Sequence, residues 1–186
     1  MTEALSVAVL VGSLRKASFS RKLALALADL APDSLQLEIV EIGTLALYNE
    51  DEEGSHPAWT QFRDRVKAAD AVLFVTPEYN RSVPGVLKNA IDVGSRPYGQ
   101  NAFGGKPGAV ISASPGAIGG FGANHHLRQS LVFLNVPILQ QPEAYVGGIA
   151  KLFDDVGALT NEGARGFLGQ FIAAFASWVK LNLADG

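Results

Sequence analysis

The chain has 186 residues, 48% hydrophobic and 18% charged, which is enough apolar sequence for one domain with a real core and excludes a disordered chain. It contains no cysteine, which excludes disulfides, thiolate nucleophiles and cysteine-ligated zinc or iron–sulfur centres. Fifteen lysines and arginines against eighteen aspartates and glutamates leave a net charge of −3, without the basic field that nucleic acid or an anionic membrane attracts. The opening stretch MTEALSVAVLVGS carries an early acidic residue and an apolar run of only about six residues, neither a signal peptide nor a membrane span, so a cytoplasmic protein is expected.

Taken in chain order, the elements alternate. Ser6–Val11 is a short β-branched run ending at glycine, a buried strand. Ser20–Leu30 sets Leu23, Leu27 and Leu30 on one helical stripe. Leu35–Ile42 alternates like a strand, and Ala58–Ala69 is an amphipathic helix. Ala71–Thr76 is wholly apolar up to its last residue, as in a parallel sheet covered on both faces. Gly85–Val93 is helical, Gly108–Ser114 is another buried strand, Asn124–Leu134 is helical, and Val136–Leu139 begins a last strand. Asn161–Leu183 is a long helix with Phe167, Phe171, Phe175 and Trp178 at three-to-four spacing, a core or subunit-contact stripe. No linker divides residues 1–186, so a single domain is expected. Five strands alternating with five helices predict a three-layer α/β/α fold around a doubly wound parallel sheet, in the flavodoxin-like order 2-1-3-4-5. In such sheets ligands bind beyond the carboxyl ends of the strands, where strand order reverses.

Three loops at that edge are unusual. Gly12–Ser20 (GSLRKASFS) offers the hydroxyls of Ser13, Ser18 and Ser20 and the Arg15 guanidinium beside a helix start, a donor set that suits a phosphate monoester. A serine-capped helix with an exposed arginine explains the same loop equally well. It has neither a Walker pattern nor G-x-G-x-x-G. Thr76–Pro84 (TPEYNRSVP) brackets Glu78, Tyr79 and Asn80 between stiffening prolines, a rim that could line a planar hydrogen-bonding ring. Ser112–Gly122 (SASPGAIGGFG) supplies small residues and backbone amides. Ten of the chain's twenty glycines fall between Gly85 and Gly122. Among the remaining candidates, adjacent His125 and His126 point about 100° apart on a helix and make a poor metal pair, so no metal site is expected. Glu50–Glu53 is read as a solvated acidic loop, and Glu143 with Arg128 as a candidate interfacial ion pair.

GSLRKASFSRKLA, PEYNRSVPGVLKNAIDVGSRP and SASPGAIGGFGANHHLRQSL, in that order, resemble the NADPH-dependent FMN reductase family, and within it the bacterial chromate/quinone reductases. The resemblance runs from about Val7 to Gly148. It implies noncovalently bound FMN, NADPH or NADH as hydride donor, and a homodimer or homotetramer. Position by position, it implies that Ser13, Arg15, Ser18 and Ser20 hold the FMN phosphate. Pro77, Glu78, Tyr79 and Asn80 would line the isoalloxazine, with Ser112, Ser114 and Gly116 along its other edge. Ser20 stands where the family commonly has asparagine. No protein side chain is then expected to be catalytic, because flavin N5 carries the hydride. The expected reaction is ping-pong transfer from NAD(P)H to quinones, with chromate and other artificial acceptors also considered. Three other readings keep the fold: a flavin reductase feeding a partner monooxygenase, a flavodoxin-type electron carrier, and a nucleotide-binding regulatory module. The glycine-bearing stretch Gly94–Gly105 is not explained by flavin binding and is expected to shape a substrate mouth or a subunit contact.

Overall fold

The computed structural model describes residues 4–184. Five parallel strands are ordered β2-β1-β3-β4-β5: β1 (Leu5–Val11), β2 (Leu35–Ile39), β3 (Ala71–Thr76), β4 (Gly108–Ala113) and β5 (Ala144–Val146). Between them run α1 (Phe19–Leu30), α2 (Pro57–Ala68), α3 (Gly85–Gly94) and α4 (Phe121–Phe133), and α5 (Glu162–Ala184) closes the chain. The two-residue alternation of a strand divides the core between the faces of the sheet. Val7, Val9 and Val11 of β1, with Leu73 and Val75 of β3 and Ile111 of β4, pack beneath α1 and α5. Ala8 and Leu10, with Val72, Phe74 and Val110, pack beneath α2, α3 and α4. Strands β1, β3 and β4 are therefore apolar apart from Ser6, Thr76 and Ser112, because helices cover both faces of the sheet. α5 is long and apolar enough to cross a membrane by composition, but Leu168, Phe171, Ile172, Phe175 and Val179 are buried against the sheet.

Three boundaries differ from the sequence reading by more than one residue. β2 ends at Ile39: the Val40 amide still reaches Val9 O (2.9 Å), after which the chain leaves β1 and turns Val40 and Ile42 into the α2 side of the core. The last strand is Ala144–Val146 and not the Val136–Leu139 segment. That earlier segment makes one bridge, from Ile138 to Gly108, in which Gly108 N donates to Pro137 O and Leu139 N to Gly108 O. Pro137 and Pro142 have no N–H to extend the ladder, so pairing resumes only at Ala144. α4 starts at Phe121, three residues before the expected Asn124. Gly120 precedes it in the left-handed region (φ 78°), a conformation that glycine adopts at no steric cost.

The stretch Gly94–Gly105 lies at the amino end of β4, away from the strand ends where a ligand is expected; part of it packs into the core and Tyr98 is exposed. Ala102 and Phe103 are buried among α2, α3 and β3, and Asn101 Nδ2 donates to Leu134 O (2.7 Å). A Cβ on Gly94 would stand 2.4 Å from the Phe103 ring. The acidic loop is not wholly solvated either. Glu53 makes a two-pronged contact with Arg63 (2.5 and 2.9 Å), whose side chain is only 8% exposed and whose Nε donates to Val93 O.

Candidate functional site

The strand register brings the three unusual loops together. Val11 pairs with Val75, Thr76 with Ser112, and Ala113 with Val146, so β1, β3 and β4 end nearly level. Strand order reverses between β1 and β3: the connection through α1 crosses one face of the sheet, and those through α3 and α4 cross the other. The crevice at that reversal is where an open α/β sheet takes its ligand.

On the β1 side, Ser18 is the N-cap of α1; its Oγ accepts from Arg21 N at 3.1 Å. The capping explanation of this serine is thus realised, yet a capping hydroxyl keeps its own proton to donate. Phe19 and Ser20 follow as the first helical residues, whose amides have no intrahelical acceptor. Ser18 and Ser20 are buried, Ser13 is half-buried and Arg15 is exposed. Arg15 joins no ion pair among the described residues. Three hydroxyls, a guanidinium and the positive end of a helix therefore face the same space, a combination that favours a dianion.

The β3 loop is held in shape by its own hydrogen bonds. Tyr79 and Ser82 exchange backbone bonds (3.1 and 2.9 Å) around Asn80 (φ 52°) and Arg81 (φ 63°), the doubly left-handed pattern of a type I′ turn. This presents the Tyr79 ring 54% exposed at the mouth. Glu78 Oε2 accepts from Ala123 N of α4 at 2.9 Å, so its carboxylate caps that helix from 45 residues away. Ser82 Oγ and His126 Nδ1, 2.8 Å apart, make a second tie to the same helix.

In the β4 loop, Ser114 N donates to Val146 O, Ser114 Oγ accepts from Gly116 N (3.1 Å), and Ser114 O accepts from Ile149 N. Ser112 is elsewhere. It is fully buried under α4, where its Oγ lies within bonding range of Ala144 O (3.4 Å) and Asn124 Nδ2 (3.3 Å). Asn124 Oδ1 in turn accepts from Arg128 Nε (2.8 Å), and Arg128 Nη1 reaches Leu139 O (3.0 Å). Burial pulls the Arg128 guanidinium below its ordinary pKa. Among the described residues Arg128 and Glu143 make no ion pair within the chain, and Arg128 is used inside this network, at the β5 edge. His125 Nε2 lies 2.9 Å from Tyr145 Oη, whose pKa burial and Glu143 push up to about 12. The two histidines thus take separate partners.

A cavity of about 220 Å³ opens where the loops meet. Of the eleven sequence-predicted residues, Ser13, Arg15, Ser18, Ser20, Pro77, Glu78, Tyr79 and Ser114 line it. Asn80 sits on the exposed turn beyond Tyr79, Gly116 is exposed one step past the wall, and Ser112 is behind it. Phe19, Ala113, Pro115 and Ile149 complete the wall and were not among the predicted set. Phe19, Ala113 and Pro115 lie inside the quoted motifs, whereas Ile149 has no local signal and arrives by way of the loop after β5. A second cavity of about 400 Å³ shares Ser13, Arg15 and Tyr79 with the first and extends along Leu14 toward Pro84, Gly85 and Val86. A third, of about 210 Å³, lies between β2 and α2 beside Gln36 and Arg65, at the amino end of the sheet, and no predicted residue reaches it.

A family model described as NADPH-dependent FMN reductase matches residues 5–151. The chain is 67% identical over 186 residues to a quinone reductase of Pseudomonas putida, covering 99% of this chain and 100% of that protein. It is 46% identical over 178 residues to a 2-hydroxy-1,4-benzoquinone reductase of Burkholderia sp, covering 95% and 97% of the two chains. Among solved structures, FerB, a flavoenzyme NAD(P)H:(acceptor) oxidoreductase from Paracoccus denitrificans, superposes with a TM-score of 0.91 at 42% identity, over 96% of this chain and 99% of that one.

Proposed function

The chain belongs to the NADPH-dependent FMN reductase family, and on that premise we propose that it is an FMN-dependent NAD(P)H:quinone oxidoreductase working by alternating half-reactions at one site. The observation that carries this reading is the cavity beyond β1, β3 and β4, polar and cationic at one end and rimmed by an exposed tyrosine at the other. That cradle fits FMN. Hydroxyls and a guanidinium suit the phosphate, and the one carboxylate in the wall, Glu78, is engaged by the Ala123 amide. Bound there, FMN supplies two-electron hydride chemistry between NAD(P)H and the acceptor.

The protein's part is binding and orientation. Ser13, Arg15, Ser18 and Ser20 hold the phosphate end, with Ser20 donating where an asparagine is usual in the family. Pro77, Glu78, Tyr79 and Asn80 flank the ring, and Ser114 and Gly116 lie along its other edge. Ser112 acts from behind, holding β4 to α4 through Asn124. We assign the protein to the cytoplasm, as a homodimer or homotetramer, with quinones as acceptors and chromate as an artificial one.

The test is direct. Purified protein is expected to show flavin absorption, or to gain it on adding FMN, and to oxidise NAD(P)H with quinone faster than with free FMN. Protein that stays colourless after adding FMN overturns the reading. Faster turnover of free FMN identifies a flavin reductase, and bound flavin without NAD(P)H oxidation identifies an electron carrier.

A further inference from the structure

Two cavities adjoin at the mouth of the site and share Ser13, Arg15 and Tyr79. The first adds the hydroxyls of Ser18, Ser20 and Ser114 and the Glu78 carboxylate. The second, of about 400 Å³, has Leu14, Tyr79, Pro84 and Val86 around it and contains no carboxylate. We propose that this second cavity receives the ring of the quinone acceptor, with Gly85 and Val86 setting the size of ring admitted; the proposal rests on the quinone reductase reading above.

Three observations support it. Leu14 is 58% and Tyr79 54% exposed, and both line this cavity, one from the β1 loop and the other from the β3 loop. Apolar surface of that kind gains free energy when a flat ring covers it. Ser13, Arg15 and Tyr79 line both cavities, so a ring in the second lies next to whatever occupies the first. The third observation is Gly85. It is the first residue of α3, its φ lies outside the left-handed region, and a Cβ there would meet nothing within 4 Å. Glycine is a poor helix former, and neither backbone geometry nor packing requires it here. What its missing side chain leaves is open space at the exposed edge of the second cavity, which Gly85 lines. The reaction served is balanced: the quinone takes up the two electrons and one proton of the hydride that NAD(P)H supplies, takes a second proton from water, and leaves as hydroquinone.

The test uses FMN-loaded protein with NADPH and two acceptors, 1,4-benzoquinone and 2-methyl-1,4-naphthoquinone. Gly85→Leu narrows that edge and is expected to lower kcat/KM for the two-ring quinone about tenfold further than for the one-ring quinone, chiefly through KM. Val86→Ala widens the wall and is expected to move the ratio the opposite way. Equal changes for both quinones, or none, overturn the ring site and leave the function standing. Loss of flavin from Gly85→Leu assigns the cavity to the cofactor and also overturns the proposal. If Gly85→Leu does not fold, the ratio measured with Val86→Ala decides. Flavin-loaded wild-type protein that reduces neither quinone overturns the functional reading itself, and the ring site with it.

Discussion

At the scale of single residues, charge and space at two positions lead to measurable outcomes. Arg15 offers the only guanidinium in the wall of the first cavity. Arg15→Ala removes a charge-assisted contact of about 1.5–3 kcal/mol, so FMN affinity is expected to fall about 10–100-fold in a fluorescence titration. Unchanged affinity would remove Arg15 from the phosphate site. Gly94 packs against Phe103, and a methyl group there would stand 2.4 Å from that buried ring, so the ring or the helix would have to shift. Gly94→Ala is expected to cost about 1–3 kcal/mol in urea unfolding, although alanine is the better helix former. Sequence reveals some residue roles and hides others for physical reasons. Ser13, Arg15 and Ser18 lie within a few residues of one another, so their convergence is local and legible. Glu78 caps a helix that begins 43 residues later, and no local pattern announces that partner. Ser112 shares a face of β4 with Val110 by simple alternation, which places it beneath α4 and away from the mouth.

At the scale of elements, the loop before α2 is pinned by the Glu53–Arg63 pair. The Arg63 hydrogen bond, outweighing a small desolvation effect, holds the Glu53 carboxyl below its usual pKa range. The folded state therefore binds this proton more weakly than the unfolded chain does. The pair's stabilisation is complete above the unfolded carboxyl pKa and is lost as pH falls through the depressed folded value. Glu53→Gln is expected to lower the melting midpoint at pH 7 by about 2–8 °C, with the gap to wild type closing below about pH 4. A gap that persists undiminished in acid would mean that the charge of Glu53 is not what stabilises the loop. The strands themselves were legible where burial is two-sided: β1, β3 and β4 are short apolar runs because helices cover both faces. β5 was misplaced because Val136–Leu139 has the composition of a strand but only one bridge to Gly108, while the three residues that do pair follow a proline and carry little pattern of their own.

At the scale of the whole molecule, cofactor and fold stability are linked. A ligand that binds only the folded state at about 100 times its Kd adds about 2.7 kcal/mol, which for a chain of this length raises the melting midpoint by roughly 5–11 °C. Saturating FMN is expected to produce that rise in differential scanning calorimetry. Arg15→Ala at the same FMN concentration should keep only about 0.4–1.4 kcal/mol of it. No rise in the wild type would mean that FMN does not recognise the native fold. The sheet order was legible because its topology follows from five alternating units, whereas the Glu78 and Ser82 ties to α4 bridge those units and have no footprint in any one of them.

Those two ties make the rim of the site mechanically unequal. The β3 loop is fastened twice to α4, so that side acts as a fixed jaw. Opposite it, Leu14, Arg15, Lys16 and Ala17 are all exposed and few buried contacts restrain them. Backbone amides from Leu14 to Ala17 are therefore expected to exchange hydrogen with solvent sooner than those of the Tyr79–Ser82 turn.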